Sequence, residues 1–116
     1  MAEYEFLRFP ADTVQVDPQQ YNALPGSARR VFEAVRERGP LTHSQLGAIT
    51  GLPPRTIRFA VKRLKDTGLL DSMCSLRDCR TYYFYVSRRH IRSEALEEAR
   101  RRAEEAQKLG RVVERV

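Results

Sequence analysis

The chain has 116 residues, 41% of them apolar, and a formal net charge of +6. That suits one domain with a single modest core, at a composition ordinary for a globular protein. It excludes a membrane-spanning helix, because no apolar run nears about 20 residues, and a disulfide scaffold, because the only cysteines are Cys74 and Cys79.

The charge is uneven. Residues 28–65 hold nine basic and two acidic side chains, a net of +7, whereas residues 1–27 are at −3 and residues 66–90 and 91–116 at +1 each. A concentrated basic patch suits a polyanion, and the competing reading is a solvated basic surface. Met1 is followed by acidic and aromatic residues instead of a basic and then apolar leader. The expected location is therefore the cytoplasm, with no membrane partner.

In chain order, residues 1–26 are interrupted by Pro10, Pro18 and Pro25 and read as an arm packed on the domain. Within it, "TVQV" alternates like a short strand, and Asp17 before Pro18 signals the start of a short helix. After Ser27, the apolar spacing of Ala28, Val31, Phe32 and Val35 predicts a helix that Gly39-Pro40 ends. The next helix starts at Thr42. "THSQ" has the form of a capping box, Leu46 and Ile49 are expected to face inward, and Gly51 sits where a positive φ stops the helix. A third helix, 53–67, enters through Pro53 and Pro54, buries Ile57, Ala60, Val61 and Leu64, and ends at Gly68. Two β-prone runs, "LLDSMCSL" and "TYYFYV", flank "RDCR" and predict a hairpin over 70–86 with Arg77 and Arg80 near its tip.

From Ser93 to Leu109 the pattern is helical again. Leu96, Ala99, Ala103, Ala106, Gly110 and Val113 form a heptad seam, and Glu97–Arg101, Glu98–Arg102 and Glu104–Lys108 are favourably ordered i, i+4 pairs. Dimerisation is assigned to Leu96, Ala99, Ala103, Ala106, Leu109 and Val113 of this helix.

Helix, turn, helix, hairpin is the order of a winged helix-turn-helix. The expected fold is therefore mostly α with a small β-hairpin (α+β). It comprises an arm (1–26), a winged helix-turn-helix domain (27–90) and a C-terminal helix (91–116). The third helix would lie in the major groove of double-stranded DNA. Opposite its core stripe lie Arg55, Phe59 and Lys62, with Arg58 on one flank and Thr56 and Arg63 on the other. Arg55 and Arg58 are the candidates for guanine readout, because guanidinium groups pair bidentately with guanine O6 and N7. Thr56, Lys62 and Arg63 suit phosphates, which position without specifying. Pro54 belongs to the same surface. Phe59 has two readings, a thymine methyl or packing against the wing or the first helix. Thr42, His43 and Ser44 open the previous helix, where amides suit a phosphate; for Thr42 plain capping is favoured.

The stretch "LTHSQLGAITGLPPRTIRFAVKRLKDTGLL" followed by "SLRDCRTYYFYV" resembles the winged helix-turn-helix regulators of the MarR type, in a compact archaeal-like form. The resemblance covers Ser27 to Val86, and Asp78-Cys79-Arg80 matches the D-x-R signature of that family's wing. It implies that Arg80 reaches DNA and that Asp78 holds its side chain. The family dimerises through helices from both chain ends; here no long N-terminal amphipathic helix is present, which leaves dimerisation to the C-terminal helix.

The function expected is a sequence-specific transcriptional regulator acting as a homodimer. The alternatives are a non-specific architectural DNA binder and a protein-interaction winged helix. No enzyme is expected: neither histidine sits in a catalytic arrangement and no phosphate-binding glycine loop is present. No cofactor is expected and no metal site is assigned, since two cysteines without a CxxC pair would need His90 and a further ligand. Cys74 and Cys79 flank the wing turn. They read either as a redox pair, activated by Arg77 and Arg80, or as two ordinary thiols.

Overall fold

The computed structural model describes residues 8–75 and 80–115, with side chains of the last helix described to residue 105 and at 108. Among these residues, five helices and one two-stranded antiparallel sheet follow in the order α1 (Pro18–Asn22), α2 (Gly26–Arg38), α3 (His43–Thr50), α4 (Pro54–Asp66), β1 (Leu70–Cys74), β2 (Tyr82–Val86) and α5 (Ser93–Arg115). Short 3-10 turns at Ala11–Thr13 and Arg88–His90 fill the connections. Among the described residues, no helix is long and apolar enough to cross a membrane.

Local chemistry sets the boundaries. At α3 the Gln45 amide donates to Thr42 Oγ1 (3.2 Å), and the Thr42 amide donates to Gln45 Oε1 (2.9 Å). The capping box read in the sequence is therefore formed, satisfying two donors that a helix start leaves without partners. Gly51 ends α3 at φ +72°, in the left-handed region. A Cβ there would meet nothing within 4 Å, so the glycine is needed for its backbone conformation alone. Gly51→Ala is expected to lower stability by about 1–2 kcal/mol, measurable as a lower urea midpoint at unchanged m-value. Pro53 caps α4 and Pro54 occupies its first turn, where a missing N–H costs no hydrogen bond. The helix thus starts one residue after, and ends one residue before, the predicted 53–67.

The core lies where α2, α3 and α4 meet the inner face of the sheet. Val31, Phe32, Val35, Leu46, Ile57, Leu64, Leu69 and Leu70 are its fully buried large side chains. The stripes predicted on α2 and α4 are all buried. In α3 the prediction fails at one place: Ile49 is 38% exposed. The inward position one turn after Leu46 is taken by Thr50, whose hydroxyl donates to the Leu46 carbonyl (2.6 Å) and so tolerates burial. Arg30 Nη2 donates to the Thr50 carbonyl (2.6 Å), tying α2 to the C-terminal end of α3.

The arm packs on this core through Phe9, Thr13 and Leu24. "TVQV" forms no strand; a single bridge joins Val14 to Ile91. The α1 start is as read, with Asp17 accepting from the Gln19 amide (3.1 Å). The final helix runs past the predicted Leu109 to Arg115. Its first turns are part of the monomer core: Ala99 is buried, and Ala95 and Leu96 are partly buried against it. The seam's leading positions, Leu96 and Ala99, are therefore engaged at least in part within the chain. Ala103 is half-buried. The side chains of Ala106, Leu109 and Val113 lie outside those described.

Candidate nucleic-acid interface

Three elements converge on one side of the molecule: α4, the N-terminus of α3 and the wing hairpin. Gly51–Pro53 form the turn between α3 and α4, the spacing of a helix-turn-helix. The hairpin pairs Leu70 with Val86 through to Cys74 with Tyr82. It closes through the Ser75 amide donating to the Thr81 carbonyl (2.7 Å). On its other edge, β2 holds the link between α2 and α3 by paired bonds between Leu41 and Phe84 (3.1 and 2.8 Å). The wing is thus fixed to the helix-turn-helix by backbone hydrogen bonds as well as by the buried Phe84 and Val86.

At 100° per residue, burial of Ile57, Ala60, Val61 and Leu64 turns Arg55, Phe59, Lys62 and Asp66 directly outward, with Arg58 and Arg63 on either flank. All six are exposed, and Thr56 is half-buried. Among the described residues, no acid lies within ion-pair distance of Arg55, Arg58 or Arg63. Lys62 Nζ sits 3.1 Å from Asp66 Oδ2 in an exposed i, i+4 pair, which is worth little and can yield to a stronger anion. Lys65 Nζ donates to Ser72 Oγ (2.9 Å), joining α4 to β1. No periodicity in the sequence announces that contact. Phe59 is 58% exposed, so most of the residue stands in solvent, between cations of the same helix.

At the start of α3, the Thr42 hydroxyl is occupied by capping, as favoured from the sequence. The amides of His43 and Ser44 remain as first-turn donors without an intrahelical partner. The His43 ring meets Phe84 edge-on, with centroids 4.7 Å apart. Loss of water around the ring, and then the charge of Arg58, hold its pKa below the ordinary histidine value. His43 therefore stays neutral further into the acid range, and acidification through that range works against its packed position.

At the wing, Arg80 is exposed where the chain enters β2. Arg77, Asp78 and Cys79 lie outside the described residues, and with them the D-x-R pairing and one partner of the cysteine pair. Cys74 is half-buried, and the register sets Tyr82 opposite it. No group of three or more His, Cys, Asp or Glu that could hold a metal gathers among the described residues. Away from this surface, an open groove of about 1220 Å³ runs along α2 and the C-terminal end of α3, past Arg29, Arg30, Glu33, Arg38, Ile49 and Leu52.

No sequence-family model and no curated protein sequence matches the chain. Solved structures do. A MarR-family transcription regulator superposes at TM-score 0.56 and 21% identity, over 84% of this chain and 62% of its own. A transcriptional regulator of Thermotoga maritima gives TM-score 0.56 and 21% identity, over 78% of this chain and 62% of its own. The fold is that of the MarR-type winged-helix regulators. A probable transcriptional regulator of Pseudomonas aeruginosa matches more evenly, at TM-score 0.56 and 26% identity, over 84% of this chain and 88% of its own. The chain thus spans somewhat under two thirds of the first two neighbours and most of the third. The MarR-type fold accounts for the convergence of α4, the α3 start and the wing on one basic surface.

Proposed function

We propose that the protein is a sequence-specific, double-stranded-DNA-binding transcriptional regulator. Helix α4 enters the major groove, the α3 N-terminus contacts the backbone, and the wing with Arg80 contacts the backbone or minor groove. The observation that carries this reading is the pair Arg55 and Arg58, exposed on the outward side of α4 with no acidic partner among the described residues. A major groove admits an α-helix, and guanine presents there the two acceptors that a guanidinium fork matches. Lys62 and Arg63 supply phosphate contacts that fix register. The neighbours' descriptions as transcriptional regulators agree with it.

The protein acts as a homodimer through the later part of α5. Leu96 and Ala99 serve the monomer core, so the seam from Ala103 onward is the portion left to a partner helix. Two recognition helices would then meet half-sites about 34–36 Å apart on a pseudo-palindrome.

Selection from a random duplex pool, followed by sequencing of the retained DNA, tests both statements. A two-fold symmetric motif with half-sites about one helical turn apart is the expected result. Retention without a motif would replace specific regulation by architectural, phosphate-dominated binding, steep in its salt dependence. Absence of binding at low salt would redirect the basic helix to a protein partner. Sedimentation of a monomer at micromolar concentration would refute the dimer.

A further inference from the structure

We infer that Phe59 and Arg55 form one composite reader. Phe59 recognises the C5 methyl of a thymine lying within two base pairs of the guanine that Arg55 reads. This rests on the DNA-binding reading above and adds to it the identity of a second base.

Phe59 is the largest apolar side chain exposed on α4, at 58%. It projects from the middle of the outward face, between Arg55 one turn before and Lys62 one turn after, with Arg58 and Arg63 on either side. A surface for a protein partner would continue the apolar patch around it. Here the ring is flanked by cations of its own helix, and the other exposed large apolar side chains among the described residues, Ile49 and Tyr82, are single side chains on other elements, α3 and β2. A phenyl ring offers nothing to a phosphate. In the major groove the bases present donors, acceptors and one apolar group, the thymine methyl. The ring's position selects that group.

The spacing follows from helix geometry. Four residues advance a helix by about 6 Å, and stacked base pairs repeat every 3.4 Å or so. Side chains at 55 and 59 on one face therefore meet base pairs no more than about two apart. Arg55 contributes hydrogen bonds, and Phe59 discriminates thymine from cytosine, whose edge lacks the methyl.

The test uses the duplex recovered by selection, with each thymine replaced in turn by uracil, which keeps the base pair and removes only the methyl. Full-length wild type and Phe59→Ala are compared by fluorescence anisotropy. Because the ring is exposed, the variant keeps its fold, and circular dichroism verifies it. At one thymine per half-site, uracil is expected to weaken wild-type binding about fourfold, the value of one buried methyl. It should leave Phe59→Ala unaffected. That thymine should lie within two base pairs of the guanine whose preference Arg55→Ala relaxes. No uracil-sensitive position in wild type, a sensitivity that persists in Phe59→Ala, or a sensitive thymine further away would each overturn the inference. Wild type that binds no duplex at low salt would overturn the DNA-binding reading before the uracil series begins.

Discussion

Replacing Arg55 and Arg58 together by alanine is expected to weaken binding to the selected duplex by roughly 30-fold to 10⁴-fold, since each bidentate arginine–guanine contact is worth about 1–3 kcal/mol. Thermal stability should hardly move. Both side chains are exposed and neither has an ion-pair partner among the described residues, and such surface substitutions usually change stability by no more than about 0.5 kcal/mol. The informative readout is the ratio of affinities for selected and scrambled duplex, measured at several salt concentrations. Base-reading arginines carry that ratio, so it should collapse in the double variant while scrambled-duplex affinity falls much less. Lys62→Ala or Arg63→Ala should behave in the opposite way. Removing a cation that touches a phosphate weakens binding to both duplexes alike and lowers the salt slope by about one. If the double arginine variant instead weakened both duplexes equally, Arg55 and Arg58 would be phosphate contacts and the specificity would lie elsewhere.

Where local chemistry alone decides a feature, the sequence was a sufficient guide. The Thr42–Gln45 capping box, the positive φ of Gly51, the proline entrance of α4 and its four-residue core stripe are all as read, because each depends on residues within one or two turns. Tertiary competition defeated the rest. Ile49 and Thr50 are adjacent, and hydropathy puts the isoleucine inside. The threonine satisfies its own hydroxyl on the Leu46 carbonyl and occupies the inner position instead. The small-residue seam of α5 has the same period whether it meets a second copy or its own domain, and Ala99 shows that part of it meets its own domain. Phe59 could not be placed from periodicity, because an aromatic on the polar side of a helix packs or not according to what lies across from it. The clamp from Arg30 to Thr50 and the tie from Lys65 to Ser72 connect separate elements, and no local pattern carries them.

Phe32 on α2 and Phe59 on α4 give the strongest contrast in expected stability. Phe32→Ala should lower the free energy of unfolding by about 3–5 kcal/mol, the range for removing a fully buried aromatic ring. Phe32 is 1% exposed on α2. Its ring meets Tyr21 edge-on at 6.3 Å, so the substitution also removes a link between α1 and the core. Against the roughly 5–15 kcal/mol that holds a typical domain together, this is a large fraction. It corresponds to a fall in Tm of roughly 10–25 °C for a chain of this size. Phe59→Ala, the same substitution on an exposed ring, should leave Tm within a few degrees while changing base preference. DNA binds only the folded state, so selected duplex at 100 times its Kd should return about 2.7 kcal/mol to the Phe32 variant. Thermal melts of both variants with and without duplex measure all of this at once. A Phe32 variant as stable as wild type would mean that the α2 face is not the centre of the core. A Phe59 variant as unstable as the Phe32 one would mean that the ring is buried in solution and cannot meet a base.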